Sequence, residues 1–198
     1  DSNVNEILVS GENAYNTAKS YMKEMLPSQI KRVKTFRDTK NSIFQKYNVE
    51  KQLDSMYLPS VKLKSGGYIV INQTEALVAI DVNSGRATKE RNIEETALST
   101  NIEAAEEVAR QLKLRDLSGL IVIDFIDMEG YKNQHSVERK LKEAMSSDRA
   151  RIQIGRISHF GLLELSRQRL RPSVSENYFS ACDTCGGTGV VRSVESSA

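Results

Sequence analysis

Two apolar runs, each ending in a carboxylate and separated by one long amphipathic stripe, constrain this chain more than any other feature. The first is Leu77-Val78-Ala79-Ile80-Asp81, continuing into Val82-Asn83-Ser84-Gly85. The second is Leu120-Ile121-Val122-Ile123-Asp124. Between them Leu98, Ile102, Ala105, Ala109 and Leu112 recur at helical spacing, and Asn92 with Glu95 three residues on has the spacing of a capping box. A strand, a helix and a second strand in this order read as a crossover unit, which can bring the two carboxyl ends side by side. That edge of an α/β sheet is where ligands bind. The second run, apolar at successive positions, is expected to be buried on both faces.

The rest of the chain fits around this unit. Val61–Lys64 and Tyr68–Ile71 flank Ser65-Gly66-Gly67 and read as a hairpin. With a turn at Asn72-Gln73 and a strand from Glu75 to Val82 they make a three-strand meander. After the second carboxylate run the pattern predicts a helix over Ser136–Met145, a strand over Arg151–Ile157 and a helix over Phe160–Leu170 stopped by Pro172. Upstream, Val4–Val9 has strand character. Ala14, Ala18, Met22 and Met25 form a helical face closed by Pro27, residues 31–40 are basic and irregular, and Ser42–Tyr57 reads as a second helix. The fold class is therefore α/β, a layered domain on a mixed sheet. At 198 residues, 39% hydrophobic and 27% charged, the composition is that of an ordinary soluble globular protein. One good-sized core fits, or one core and a small satellite. No apolar run is long enough to span a bilayer and no signal peptide is visible. The chain opens at Asp1 rather than Met, so it is expected to be a piece of something longer.

Asp81 and Asp124 are the residues most able to carry chemistry. A carboxylate in a buried strand costs several kcal/mol unless it is paired or metal-bound. Each alone has a structural explanation: Asp124 could pair with Arg86, Arg115 or Arg151, and Asp81 could close an Asx turn toward Gly85. Together they fit magnesium, which takes one or two carboxylates plus waters and substrate phosphate. Asn83, two residues from Asp81, falls on the same face as a neutral neighbour.

A net charge of +2 announces no nucleic-acid partner, but arginines concentrate locally. Between residues 148 and 171 stand Arg149, Arg151, Arg156, Arg167, Arg169 and Arg171, with only Asp148 and Glu164 against them. Arg149, Arg151, Arg167 and Arg169 are the candidates for phosphate contact, the alternative being a solvated face. His135 and His159 lack ligand spacing and are assigned no role. Cys182-x-x-Cys185 is followed by Gly186-Gly187-Thr188-Gly189, which suits a zinc knuckle and cannot open the stable helix a redox pair would need. Zinc takes four ligands, so either distant histidines or a second chain completes the site.

These residues resemble the ribonuclease E/G family. The resemblance rests on Ser65–Ile71, Thr74–Leu77, Ile80–Thr88, Ile93–Thr96, Arg110–Leu117, Ile123–Met128, Phe160–Glu164 and Ser166–Leu170, and extends to the cysteine motif. It implies a deoxyribonuclease-I-like domain over residues 59–172. A partial ribonuclease-H-like subdomain would precede it over residues 1–58, and a linker with a zinc-link motif would follow over residues 173–198. It further implies catalytic magnesium on Asp81 and Asp124 with Asn83 assisting, and zinc on Cys182 and Cys185 between two protomers. The expectation is a cytoplasmic magnesium-dependent endonuclease cutting single-stranded RNA. It would work as a homodimer through shared zinc, which could assemble further into a dimer of dimers. The alternative is a non-catalytic RNA-binding and zinc-dimerising module.

Overall fold

In the computed structural model, residues 4–85 and 93–191 are described. Asn92, Arg86, Ala87 and Thr88, which entered the reading above, lie outside them. The chain divides into two compact units, Asp1–Ser55 and Met56–Ala198.

In the first unit, strand β1 (Ile7–Val9), helix α1 (Glu12–Met25) and strand β2 (Val33–Thr35) form a minimal crossover, with β1 and β2 parallel. Pro27 ends α1 and starts a 3-10 turn, Pro27–Arg32, as its fixed φ allows. The basic stretch expected to be irregular thus contains a strand. The single helix expected over 42–57 is two, α2 (Ile43–Lys46) and α3 (Val49–Ser55). Between them Asn48 takes φ 54, a left-handed conformation that asparagine tolerates better than most residues. Ser42 caps α2 in a reciprocal box with Gln45, both bonds 3.1 Å.

Alternation at two-residue spacing builds the second unit. Strands β3 (Ser60–Lys62), β4 (Tyr68–Gln73), β5 (Val78–Asn83), β6 (Gly119–Asp124), β7 (Ile152–Ile157) and β8 (Leu162–Arg167) form one six-stranded sheet in the order β3-β4-β5-β6-β8-β7. Only the β5–β6 pair is parallel among these neighbours, as the crossover requires. The crossover helix is α4 (Ile93–Leu114), packed against α5 (Tyr131–Met145). Ile69, Ile80, Ile121, Ile123, Leu163 and Leu165 on one sheet face meet Ala97, Ala104, Ala105, Val108 and Leu112 of α4 in a continuous core. Each fully buried aliphatic side chain contributes about 1.5–3 kcal/mol. Small residues dominate the buried stripe of α4, and Leu98 and Ile102 flank it as partly buried neighbours.

Three expectations are corrected here. The segment predicted as a helix over 160–170 is strand β8: Leu163, Leu165 and Arg167 are buried while Glu164 and Ser166 are exposed, a period of two. The tight turn before it, where Gly161 takes φ 78, makes β7 and β8 a hairpin. Strand β6 is buried on one face only, since Leu120 is 45% exposed and Val122 half-buried. The polar linker is in part ordered: Ser173 is buried and caps the short helix α6 (Val174–Tyr178), and Val174 N–H donates to the Arg115 carbonyl at 3.0 Å. Tyr57 meets Tyr178 and Phe179 edge to face at 6.0 and 5.8 Å.

Candidate functional site

The parallel register of β5 and β6 places Asp81 directly opposite Asp124. Neighbouring strands run about 4.8 Å apart, so the two carboxylates project side by side. Alternation fixes their face. Ile80, Val82, Ile121 and Ile123 turn into the core, and Asp81 and Asp124 turn to the opposite face, where both are exposed. The full burial that made Asp124 conspicuous in the sequence is thus not found; what singles it out is its partner. Asn83 shares the face of Asp81 and donates from Nδ2 to Asp81 Oδ2 at 2.7 Å. Partial burial first, then the charges of Asp81 and Asp127, push the Asp124 carboxyl above the usual carboxylate range. A site that resists its own ionisation in this way gains from a cation.

The segments carrying these acids are held by two turn glycines already visible in the sequence and by side chains of α4 that the linear pattern did not single out. Gly67 and Gly85 let two turns touch: a Cβ at Gly67 would stand 2.7 Å from the Asn83 carbonyl oxygen, and one at Gly85 2.5 Å from that of Gly66. Glu103 of α4 accepts from the Ser65 N–H at 3.1 Å and from the Lys64 N–H, fixing that turn from below. Beyond Asp124, the fully buried Asn101 exchanges two bonds with the backbone of Ile126, accepting from its N–H at 3.0 Å and donating to its carbonyl at 2.8 Å. Glu94 accepts from Asn133 and from the Gly130 and Glu129 N–H groups, which hold its carboxyl below the usual range. A polar residue recurring on the apolar face of α4 was the available signal for Asn101. Asp127, three residues past Asp124, adds a third negative charge nearby.

The four arginines taken as phosphate candidates do not join the acids. Arg167 pairs with Gly119 at the far end of β6, and Ile152 pairs with Arg167. Arg149, Arg151, Arg167 and Arg169 therefore gather at the opposite edge of the sheet, roughly 17 Å from Asp124 along five strand steps. Arg167 is 3% exposed and its guanidinium is committed, Nε and Nη2 to Asp148 at 2.9 and 3.2 Å and Nη1 to the Leu117 carbonyl at 2.8 Å. That arrangement leaves it no surface with which to meet a phosphate, and it drops out of the candidate interface. Arg149 and Arg151 are exposed, and Arg169 is exposed and paired with Glu176. A cleft of about 650 Å³ lies at this same edge, lined by Thr74, Leu77, Ser118, Arg169 and Glu176 among others. His135 bonds Glu138 at 3.2 Å and stacks edge-on with Tyr131.

At the other candidate metal site the backbone turns tightly around the thiols. Gly186 N–H donates to the Cys182 carbonyl at 2.7 Å, Gly189 N–H to Cys185 Sγ at 3.3 Å, and Gly186, Gly187 and Gly189 all have positive φ. Amide N–H groups of Cys185 and Thr184 hold the Cys182 thiol below its ordinary range, which favours the thiolate a metal needs. Among the described residues no cluster of three histidine, cysteine or acidic side chains forms a ready metal cage. The described residues place two thiols here and two adjacent carboxylates at the sheet.

Two acids in register on one exposed face of a mixed α/β sheet, one of them bonded to an amide, are a paired set of hard oxygen donors. The family model described as the Ribonuclease E/G family matches residues 1–170, and the chain belongs to that family. It is 52% identical over 193 residues to ribonuclease E of Haemophilus influenzae and 50% identical over 194 to that of Escherichia coli K12. These alignments cover 98% of this chain but 20% and 18% of those proteins. Ribonuclease G of Escherichia coli K12 is 36% identical over 195 residues, covering 98% of this chain and 40% of that protein. The chain thus spans about a fifth of the ribonuclease E relatives it matches.

Proposed function

We propose that this chain is the catalytic part of a cytoplasmic, magnesium-dependent endoribonuclease that cleaves single-stranded RNA, leaving 5′-phosphate and 3′-hydroxyl ends. The observation that carries this reading is the register pair Asp81–Asp124 on an exposed sheet face. Their donor set fits magnesium: two adjacent carboxylates, one with an upward-shifted pKa, and an amide that fixes the rotation of the other. Magnesium bound there would supply Lewis-acid stabilisation of charge on the phosphate and lower the pKa of water. Asp81 and Asp124 hold the ion, Asn83 orients Asp81, and Asn101 and Glu94 keep the β6 end in place. Within this reading the six-stranded unit is deoxyribonuclease-I-like and the first unit belongs to a ribonuclease-H-like subdomain. Arg149, Arg151 and Arg169 meet the phosphate backbone away from the point of cleavage.

The test is cleavage of a labelled single-stranded oligonucleotide in magnesium. Asp81→Asn and Asp124→Asn should each lose about 100-fold or more in rate, beyond what supporting residues of metal sites cost. Their melting temperature without metal should hold or rise, because a repulsive charge has gone. Parental cleavage in either variant would sink the assignment.

Cys182 and Cys185, in the same reading, bind zinc together with the same pair from a second chain, closing a four-sulfur site at a two-fold axis. The two-thiol contribution of each chain supports this. Native mass spectrometry should find about one zinc per two chains, and chelation should dissociate them. One zinc in each monomer would end the idea.

A further inference from the structure

Phe160, at the tip of the β7–β8 hairpin, is 84% exposed, yet the backbone beneath it is locked. Ser158 N–H donates to the Leu162 carbonyl at 2.8 Å and Gly161 N–H to the Ser158 carbonyl at 3.0 Å; Phe160 N–H donates to Ser158 Oγ at 3.3 Å. The tip is also tied to the acidic edge. Phe125 N–H donates to the Gly161 carbonyl at 3.4 Å, and a Cβ on Gly161 would stand 3.1 Å from Asp127 Oδ1. Leu162 lies opposite Asp124 in register. One cross-strand spacing plus two residue steps puts the Phe160 backbone within about 13 Å of that of Asp124.

We propose that Phe160 is a stacking platform for a nucleobase of single-stranded RNA beside the phosphate at Asp81 and Asp124. This rests on the endoribonuclease reading above and adds the residue that positions the substrate there. The charge pattern favours some such contact. Asp81, Asp124 and Asp127 repel phosphates, and Arg149, Arg151 and Arg169 stand at the other end of the sheet, so an uncharged contact adds affinity at this edge where carboxylates oppose it. Stacking of a base on an aromatic ring is one, and it tolerates any sequence because every base has a π-face. The surroundings favour a base over an apolar protein surface. Its neighbours Ser158 and His159, and Asp127 beside Gly161, are exposed and polar, whereas protein partners need a contiguous apolar patch. A hydrogen-bonded turn also presents the ring with little backbone entropy to lose on binding.

The chain contains no tryptophan, so Phe160→Trp introduces a single reporter. In an Asp124→Asn background, emission should be quenched saturably by a short single-stranded oligonucleotide and not by an abasic sugar-phosphate oligomer of equal length. In the otherwise unaltered protein, Phe160→Ala should lower kcat/KM by about 5- to 150-fold, mostly through KM, which is the range stacking on one base spans. Phe160→Tyr should restore it. An unquenched indole, equal quenching by the abasic oligomer, or parental kcat/KM in Phe160→Ala would each overturn the stacking role. Cleavage by Asp124→Asn at the parental rate is a separate result, and it would overturn the reading of the acids instead.

Discussion

The two ends of the central sheet are built from opposite charges and different physics. At one end Asp81 and Asp124 stand in register on an exposed face with Asp127 close by, and among the described residues no ion pair to any of the three is seen. At the other end Arg167 and Asp148 are each 3% exposed and answer one another inside the protein. The first pair is unfavourable without a ligand and so points to chemistry. The second is complete and points to architecture. Charge in a sequence window says little until its partner is known: the same stretch, 148–171, holds a buried structural arginine, surface arginines and the aromatic tip that borders the acids.

That contrast can be broken first at the acids. Asp124→Asn should collapse kcat by about two orders of magnitude or more while leaving KM for RNA within a few-fold, as single-turnover and steady-state cleavage would show. A change confined to KM would mean that Asp124 only binds RNA.

The buried pair should respond in stability instead. Removing one partner, by Arg167→Leu or Asp148→Leu, leaves an uncompensated buried charge and should cost about 3–5 kcal/mol in urea unfolding, whereas replacing both by apolar residues should cost much less. If Arg167→Leu melts normally and binds RNA more weakly, the buried reading of Arg167 fails.

The two ends should also differ in the sign of their pH dependence. The raised pKa of Asp124 means that the folded, metal-free protein holds that proton more tightly than the unfolded chain does. Its contribution to stability is present below the ordinary aspartate range and is lost as pH rises through the folded value. For Asp148, burial pushes the pKa up, but the Arg167 bond and the Ala150 N–H outweigh it and the net shift is down. Its contribution is present above the unfolded value and is lost as pH falls through the folded one. Unfolding measured across acidic pH should therefore lose its high-pH decline in Asp124→Asn and its low-pH decline in Asp148→Asn. Magnesium should offset the first and leave the second alone.

The smallest effect should come from the exposed arginines. Neutralising Arg149, Arg151 or Arg169 singly should weaken binding about equally for all sequences and flatten its log–log salt slope by roughly 0.7 per lost contact. Unchanged slopes in all three would make that edge a solvated face.

Much of this was legible without coordinates. The hairpin around Gly66, the crossover helix and both strands that carry the carboxylates follow from periodicity and turn residues, because those signals are local. The segment 160–170 misled for the same reason. Phe160, Leu163 and Leu170 mimic a helical stripe, while the decisive fact, that Leu163 and Leu165 pair with Ile123 and Ile121, lies some forty residues away. Likewise Ser42–Tyr57 carries helical apolar spacing, but its break at Asn48 is a backbone choice that spacing does not register.

By itself, then, the sequence determined which side chains stand at the ends of which strands, since an alternating or continuous apolar run and a following turn need only neighbouring residues. Tertiary structure decided which ends meet and which face they share. Strand register brought Asp81 beside Asp124, sent Arg167 inward to Asp148, and turned Phe160 outward beside the acids. Those outcomes depend on pairing between distant segments and on which sheet face the helices cover, and no local pattern encodes either.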